Sequence, residues 1–142
     1  MSPSTPLLPD PSAPCPCGSG DAVGACCGPV LADARPAPAA LQLMRSRYVA
    51  FAVRDAAHLL RSWHPTTRPG AEELEASLAE GLAWRRLVVH RTERGGPFDD
   101  DGIVEFTALA RATDGSAVRL HETSRFVREH GRWLYVDGDV AD

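Results

Sequence analysis

The sequence lacks the features that mark exported, membrane-spanning and nucleic-acid-binding proteins. Its first thirteen residues contain no basic residue and no apolar run of the about 7 to 15 residues that a signal peptide needs. No window approaches the roughly 18 continuous apolar residues of a membrane span. The fifteen basic residues are all arginine, they form no stripe, and the net charge is -4, so binding to phosphate has no electrostatic support. These absences predict a cytoplasmic protein that binds neither membrane nor nucleic acid.

Repeats and nucleotide-binding loops are missing as well. The sequence shows no internal period and no GxGxxG turn between a strand and a helix. A length of 142 residues with 44% hydrophobic residues suits one globular domain and a short appendage. A second full domain would not fit.

Proline and cysteine divide the chain into four segments. Residues 1–13 are rich in Pro, Ser and Thr, which predicts a disordered tail. All four cysteines fall within residues 14–30, and the prolines of residues 31–38 predict a short, stiff linker. Residues 39–140 are expected to form the main domain.

Helical patterns occupy the first part of this domain. A first helix is predicted from the spacing of apolar residues that begins after Ala39, namely Leu41, Met44, Tyr48 and Phe51. A second helix follows Asp55, whose side chain can cap it, and continues to His64 before Pro65. A third, short helix is predicted over 71–80, with acidic residues at its start and a glycine at its end.

The pattern then changes to β-branched and aromatic runs separated by turn residues. Four strands are predicted, over 84–94, 103–113, 117–128 and 133–137. The connections GGPFDDDG, DG and HG are typical of hairpins, so the sheet should be an antiparallel meander. Helices followed by a sheet predict an α+β fold.

The cysteines form the pattern C-x-C-x8-C-C, with Cys15, Cys17, Cys26 and Cys27 as its members. Four thiolates at this spacing suit a tetrahedral zinc ion, and the glycines beside them allow the sharp turns that such a site needs. A closed four-sulfur site would be structural, because it leaves no open position for water. The alternative is free or disulfide-linked thiols, which a reducing compartment and the strain of a bridge between adjacent cysteines both oppose. Oxidation with loss of metal, as a redox switch, is a further alternative.

The stretches CPCGSG (residues 15–20) and CCG (residues 26–28) resemble the SEC-C motif, a small zinc knuckle found at the C-terminus of the SecA translocase and in other bacterial proteins. One departure is visible. The motif usually carries lysines and an aromatic residue between its cysteine pairs, whereas residues 21–25 read DAVGA. The locally acidic knuckle would repel the acidic chaperone that the translocase binds, so that partner is not expected here.

The main domain resembles that of the YchJ family, bacterial proteins of undetermined function. The resemblance is strongest in LMRSRYVAF (residues 43–51), SWHP (62–65) and HETSRFVREHGRWLYVDG (121–138). It implies a nuclear transport factor 2-like (NTF2-like) cone, in which three N-terminal helices pack on a strongly curved four-stranded antiparallel sheet. Such cones enclose a pocket and often dimerise through the sheet, so a homodimer is one of the expectations that the resemblance raises.

The last hairpin predicts a candidate site. If His130 and Gly131 form a two-residue turn, Phe126 faces Tyr135 and Ser124 faces Asp137. Asp137 and Glu122 would then share the pocket face of the sheet as candidates for an acid or base. The expected pocket residues are Arg45, Tyr48, Trp63, His64, Trp84, Ser124, Phe126, Trp133 and Tyr135.

Two functions remain open at this point, and neither names a partner. The first is an interaction or adaptor module, in which the cone binds a ligand or presents a groove to a protein and the zinc knuckle shapes a docking surface. The second is an enzyme on a small metabolite, of isomerase, dehydratase or hydrolase type, that uses a carboxylate in the cone. A cavity of roughly 300 Å³ or more with a carboxylate at its floor would favour the enzyme.

Overall fold

The computed structural model of the protein describes residues 8–141, and this part of the chain contains four helices followed by four strands. A short 3₁₀ turn, Val23–Ala25, precedes the first helix. The helices are α1 (Cys27–Leu31), α2 (Ala40–Val53), α3 (Ala56–Arg61) and α4 (Ala71–Leu78). The strands are β1 (Ala83–Arg94), β2 (Asp101–Arg111), β3 (Ala117–Glu129) and β4 (Arg132–Ala141).

Helix α2 is the main helix that packs on the sheet. Its buried residues include Leu43, Met44 and Tyr48, so the helical spacing of the sequence does mark its inner face. The helix ends where Arg54 adopts the left-handed conformation, with a φ of 62°. Asp55 then caps α3 by accepting a hydrogen bond from the backbone N–H of His58 at 3.1 Å, which confirms the predicted cap.

Helix α3 is shorter than predicted, because the residues after Arg61 pair with the sheet. The backbone N–H of Tyr135 donates to the carbonyl of Ser62 at 2.8 Å, and that of His64 donates to the carbonyl of Tyr135 at 2.8 Å. These bonds replace the last helical turn that the sequence predicted as far as His64. The third predicted helix also ends early, at Leu78.

The sheet is the predicted antiparallel meander, with strand order β1-β2-β3-β4. Its last hairpin has the predicted two-residue turn, since Glu129 pairs with Arg132 across His130 and Gly131. Both turn residues have positive φ, 54° and 77°, as the tight turn between twisted strands requires. The two strands therefore start in the expected register.

A β-bulge in β4 then changes that register. Tyr135 pairs with Phe126, as predicted, but the next pair joins Asp137 to Arg125, which leaves Val136 as an extra residue. One extra residue turns every later side chain of the strand to the opposite face. The prediction that Asp137 faces Ser124 is therefore wrong, and Gly138 takes that place.

The cysteine segment and the main domain share one hydrophobic core. Cys15, Cys17 and Cys27 belong to the same buried cluster as residues of α2 and the sheet. The segment predicted as a linker takes part in it, since Leu31 and Ala37 are both buried. The knuckle is thus built into the domain rather than attached by a free linker.

The predicted tail is only partly described. Residues 1–7 lie outside the described part, so the prediction of disorder there is not addressed. Residues 10–13 are bound to the cysteine segment: Gly24 donates its backbone N–H to the carbonyl of Pro11, and Val23 donates to that of Ala13, both at 2.9 Å. This part of the predicted tail is therefore ordered against the knuckle.

None of the helices within residues 8–141 has the length and apolar character needed to cross a bilayer.

Candidate functional site

An open cavity of about 250 Å³ lies between α2 and the concave side of the sheet. The walls are mainly aromatic and aliphatic. Every second residue of a strand and residues one turn apart in α2 point into the same space. The cavity is lined by Met44, Arg47, Tyr48, Phe51, Trp63, Trp84, Phe106, Ala108, Leu120, Glu122, Ser124, Phe126 and Tyr135. Only two of these residues, Arg47 and Glu122, carry a formal charge.

Glu122 is seated on the sheet side of the cavity by three neighbours. Its Oε2 accepts hydrogen bonds from the Tyr135 hydroxyl at 3.1 Å and from the Ser124 hydroxyl at 2.5 Å. The carboxylate occupies the space above Gly138, where the Cβ of any other residue would collide with Oε2. The bulge at Val136 is what brings this glycine opposite Ser124. A glycine and a bulge thus create the position of the carboxylate.

Arg47 reaches the cavity from α2 and is only 5% exposed. Its Nη1 donates to the carbonyl of Leu59 at 2.9 Å and to the hydroxyl of Ser62 at 2.7 Å. Its Cζ lies 4.6 Å from the ring centroids of both Trp63 and Tyr135, so the guanidinium is held against two aromatic rings. Burial lowers the pKa of Arg47 to about 10, which leaves the side chain a cation at neutral pH.

Tyr135 connects the two charged groups. Its ring contacts the guanidinium of Arg47, and its hydroxyl donates to Glu122. Burial raises the pKa of Tyr135, and the nearby charge of Glu122 raises it further. Tyr135 therefore stays protonated and acts as a hydrogen-bond donor to the carboxylate.

The structure brings six of the nine predicted pocket residues together. The ones that line the cavity are Tyr48, Trp63, Trp84, Ser124, Phe126 and Tyr135. Trp133 instead lies in the core, 3% exposed, beside a much smaller space next to α1. His64 lies outside the cavity, where its Nε2 is 3.0 Å from Glu129 and its Nδ1 is 2.7 Å from Thr66.

The two candidate carboxylates are separated by the sheet. Glu122 lines the cavity, whereas Asp137 lies on the other face, where it accepts a hydrogen bond from Arg125 at 2.6 Å. The bulge at Val136 is the physical reason, because it reverses the direction of Asp137. Asp137 is therefore corrected to a partner in an exposed ion pair.

Several cavity residues were missed by the sequence analysis. Phe106 was detectable, because it pairs with Glu122 in the neighbouring strand and follows the alternation of β2. Met44 and Phe51 were detectable as members of the helical stripe that includes Tyr48. Arg47 carries no such signal, since an arginine on a helix is usually solvated.

The cysteine cluster has the geometry of a four-sulfur metal site. The sulfur atoms of Cys15, Cys17, Cys26 and Cys27 all lie within 4.8 Å of one another. The Sγ atoms of Cys17 and Cys26 are 3.6 Å apart and those of Cys26 and Cys27 are 3.9 Å apart, and none of the four cysteines is in a disulfide. A tetrahedron of sulfurs around zinc has edges of about 3.8 Å. The four residues fit a tetrahedral ion of this kind.

Four thiolates at these distances need a cation. Hydrogen bonding with Cys15 and then with Cys17 raises the pKa of the Cys27 thiol, and burial adds to the effect. The same sharing of protons, first with Cys15, lowers the pKa of Cys17. The cluster therefore retains protons when no metal is bound, and a divalent ion would replace them.

Arg45, predicted in the cavity, contacts the knuckle instead. Its Nη1 donates to the backbone carbonyl of Cys17 at 2.7 Å. The segment DAVGA supplies no cation to the cluster, whereas Arg45 brings one from α2. This contact places positive charge at the backbone of Cys17 and links the knuckle to the helix that also forms the cavity wall.

These features define a class: an NTF2-like domain with an open cavity, preceded by a cysteine cluster that could hold a metal ion. The family model described as YchJ, middle NTF2-like domain, matches residues 39–138. The chain belongs to the YchJ family, and the resemblance found in its sequence is confirmed.

Curated relatives match along nearly their whole length. A UPF0225 protein of Chromobacterium violaceum is 52% identical over 130 residues, which cover 91% of this chain and 94% of the relative. A UPF0225 protein of Streptomyces coelicolor is 44% identical over 132 residues, which cover 93% of this chain and 99% of the relative. The UPF0225 relatives carry no functional name that could be transferred.

Solved structures agree with the fold. The solution structure of a SEC-C motif containing protein from Rhodopseudomonas palustris matches with a TM-score of 0.81 and 34% identity, over 92% of this chain and 100% of that one. A crystal structure of a SEC-C motif containing protein from Psychrobacter arcticus matches with a TM-score of 0.72 and 23% identity, over 90% and 82% of the two chains, and supports the fold alone. The predicted α+β cone with a cysteine knuckle before it is confirmed.

Proposed function

We propose that the protein binds a small, mainly aromatic metabolite in the cavity of its NTF2-like domain. The observation that supports this best is the pair of charged side chains, Arg47 and Glu122, which both line a cavity whose other walls are mainly apolar. Desolvating a charge is costly unless something compensates it, so charges of this kind are rarely retained only for packing. Sites of few polar groups in apolar concavities are typical of ligand pockets.

The size of the cavity supports a small ligand. Its volume of about 250 Å³ falls just below the roughly 300 Å³ at which pockets for drug-sized molecules begin. The side chains do not fill the cone, and Glu122 supplies the expected carboxylate, but the cavity is smaller than the roughly 300 Å³ stated above as favouring an enzyme. Of the two functions that the sequence left open, a small-molecule site fits the cavity better than an adaptor does.

A fragment screen by NMR on isotope-labelled protein tests the proposal. The protein contains three tryptophans. Trp63 and Trp84 line the cavity and Trp133 does not, so a cavity ligand should shift the first two indole signals and spare the third. A library in which no compound moves the Trp63 or Trp84 signals selectively would contradict the proposal.

Gly138→Ala tests whether the position of the Glu122 carboxylate matters for binding. The new Cβ would collide with the Glu122 carboxylate and break its bonds to Tyr135 and Ser124. We expect ligand affinity to fall at least tenfold and the free energy of unfolding to fall by about 1 to 3 kcal/mol. Gly70→Ala is the matched control, since a Cβ at that glycine meets open space. If the two variants bind a hit of the screen with equal affinity, the position of the Glu122 carboxylate has no role in binding.

Catalysis by Glu122 is a second candidate function. Its carboxylate lies in the cavity with Oε2 held by two donors, which is how a base is kept in position for proton transfer. Glu122→Gln should then abolish turnover of a cavity substrate while ligand binding persists. If ligands bind without any chemical change, the protein is a binding protein and not an enzyme.

We further propose that the ion in the cysteine cluster is zinc and that its role is structural. Four sulfur ligands close the coordination sphere, and three of the four cysteines are no more than 5% exposed. Elemental analysis of protein purified without chelator should give one zinc per chain, and Cys17→Ser should lower this content. A metal-free wild-type protein would contradict the proposal.

An adaptor role for the knuckle and homodimerisation through the sheet stay predictions. Cys15, Cys17 and Cys27 are buried in the shared core, which leaves Cys26 and Ser19 on the outer side of the knuckle. Replacement of Cys26 and Cys27 by Ser, followed by a comparison of co-purifying proteins, tests the adaptor role.

A further inference from the structure

The cavity holds two opposite charges that form no direct ion pair, although the charge of Glu122 helps to keep Arg47 protonated. Arg47 binds Leu59 and Ser62, and Glu122 binds Tyr135 and Ser124. Among residues 8–141, the ion pairs are formed by other side chains, such as Arg91 with Glu105 and Arg125 with Asp137. None of them joins Arg47 to Glu122. Because no direct ion pair joins them, each group can still accept a partner of opposite charge.

Polar atoms remain available on both charged groups. Both hydrogen bonds of the Arg47 guanidinium come from Nη1, so its Nε and Nη2 have no acceptor within the described part of the chain. Both bonds to Glu122 reach Oε2, so its Oε1 has no donor there. The buried Nε1 of Trp63, whose ring Arg47 contacts, also lacks a hydrogen-bond partner in the described residues. The Arg47 side thus offers donors and the Glu122 side offers an acceptor.

The net charge of the cavity limits what can enter it. A ligand with one negative charge would be attracted by Arg47 and repelled by Glu122, and a ligand with one positive charge would meet the reverse. A molecule with both charges satisfies both walls and adds no net charge to the site. Burial lowers the pKa of Arg47 and the charge of Glu122 partly offsets this effect, so a ligand anion beside the guanidinium would stabilise its charged form further.

The other cavity walls favour a particular kind of uncharged group in the ligand. Tyr48 and Trp84 meet edge to face with ring centroids 6.2 Å apart, and Phe51 and Phe106 complete the aromatic lining. Aromatic rings prefer such surroundings to water, through burial and through edge-to-face contact. An aromatic or similarly flat apolar group fits between these side chains.

Resting on the proposed binding function, we infer that the ligand is a small aromatic zwitterion of the amino-acid type. Its anionic group binds Arg47 beside the Trp63 N–H, its cationic group binds Glu122, and its ring lies against the aromatic wall.

Four probes of related structure test this inference by isothermal titration calorimetry at pH 7. L-Phenylalanine carries both charges and a ring, 3-phenylpropanoate lacks the ammonium, phenethylamine lacks the carboxylate, and glycine lacks the ring. We expect L-phenylalanine to bind at least tenfold more tightly than each of the other three.

Glu122→Gln supplies the matched variant. It should remove the advantage of L-phenylalanine over 3-phenylpropanoate, so that the two bind within about threefold of each other, because the repulsion of the anion disappears with the charge. Glu129→Gln is the control, since Glu129 lies outside the cavity beside His64 and should leave the order unchanged. The comparison of probes on the wild-type protein needs no variant, so it stands even if Glu122→Gln does not fold.

The outcomes separate the inference from the proposed function. Tighter or equal binding of 3-phenylpropanoate, phenethylamine or glycine relative to L-phenylalanine overturns the inference. So does the absence of binding by all four probes, and in that case hits of the fragment screen at Trp63 and Trp84 would leave the proposed function standing. If both the probes and the screen fail, the binding function itself is refuted.

Discussion

At the scale of single residues, a buried histidine makes stability depend on pH. His58 is 2% exposed; its Nε2 lies 2.9 Å from the Ser46 hydroxyl, and its Nδ1 lies 3.2 Å from Nη2 of Arg61. Because Arg61 can only donate, Nδ1 accepts and Nε2 carries the proton, which makes the ring neutral. Burial lowers the pKa of His58 to about 3, and the charge of Arg61 contributes to this shift.

Acidification should therefore destabilise the protein through His58. The unfolded chain binds a proton below a pKa of about 6.5 and the folded chain does so only near 3, so stability is full above pH 6.5 and is lost as the pH falls from 6.5 towards 3. Between pH 7 and pH 5 this residue should cost about 2 kcal/mol of unfolding free energy. Urea titrations at both pH values measure it.

Comparison of variants isolates this contribution from that of the other titrating groups. His58→Gln should lose less stability than the wild type between pH 7 and pH 5, by about the same 2 kcal/mol. His130→Asn is the control, because His130 is exposed and asparagine tolerates its φ of 54°. A His58→Gln protein with the wild-type pH dependence would contradict the prediction.

At the scale of elements, α3 depends on its N-cap residue, Asp55, more than a longer helix would. It has six residues, too few to be stable alone, and Asp55 supplies the one side-chain cap at its start. The helix positions both Leu59 and Ser62, whose oxygen atoms bind Arg47. Capping thus supports the cavity wall as well as the helix.

Asp55→Ala should lower the unfolding free energy by about 1 kcal/mol, since the N–H of His58 loses its acceptor. Asp55→Asn should leave it within about 0.5 kcal/mol of the wild type, because asparagine caps equally well. Thermal unfolding measures the difference. Equal losses in the two variants would point to the charge of Asp55 rather than to its cap.

At the scale of the whole molecule, the knuckle and the cone should unfold together. Three of the cysteines lie in the core that α2 and the sheet form, and Arg45 joins Cys17 to α2. A metal bound in the cluster stabilises the folded state by mass action, and a shared core transmits that stability to the cone. We therefore expect the two parts to unfold as one cooperative unit.

Removal of metal by a chelator under reducing conditions should lower the melting temperature by at least about 5 °C, in a single transition. Tryptophan fluorescence reports the cone, because Trp63, Trp84 and Trp133 all belong to it, and far-UV circular dichroism reports the whole chain. Coincident curves are expected. A cone that melts unchanged while metal is lost would show that the knuckle is independent.

Much of the molecule could be predicted from local patterns. The strand order follows from hairpin turns such as His130–Gly131, and the helix boundary at Asp55 follows from its capping chemistry. Six cavity residues could be named because alternation and helical spacing reveal which face a residue occupies. The end of α3 could not be predicted, since pairing with Tyr135 replaces its last turn.

The sequence by itself determined the type and order of the elements from α2 onwards, the meander and the four-sulfur cluster, because each depends on residues close together in the chain. Only the tertiary structure decided that Glu122 reaches the cavity, that Asp137 does not, and that Arg47 is buried against two rings. The physical reason is that one extra residue at Val136 reverses the face of everything after it, and the burial of a helical arginine depends on partners far away in the chain.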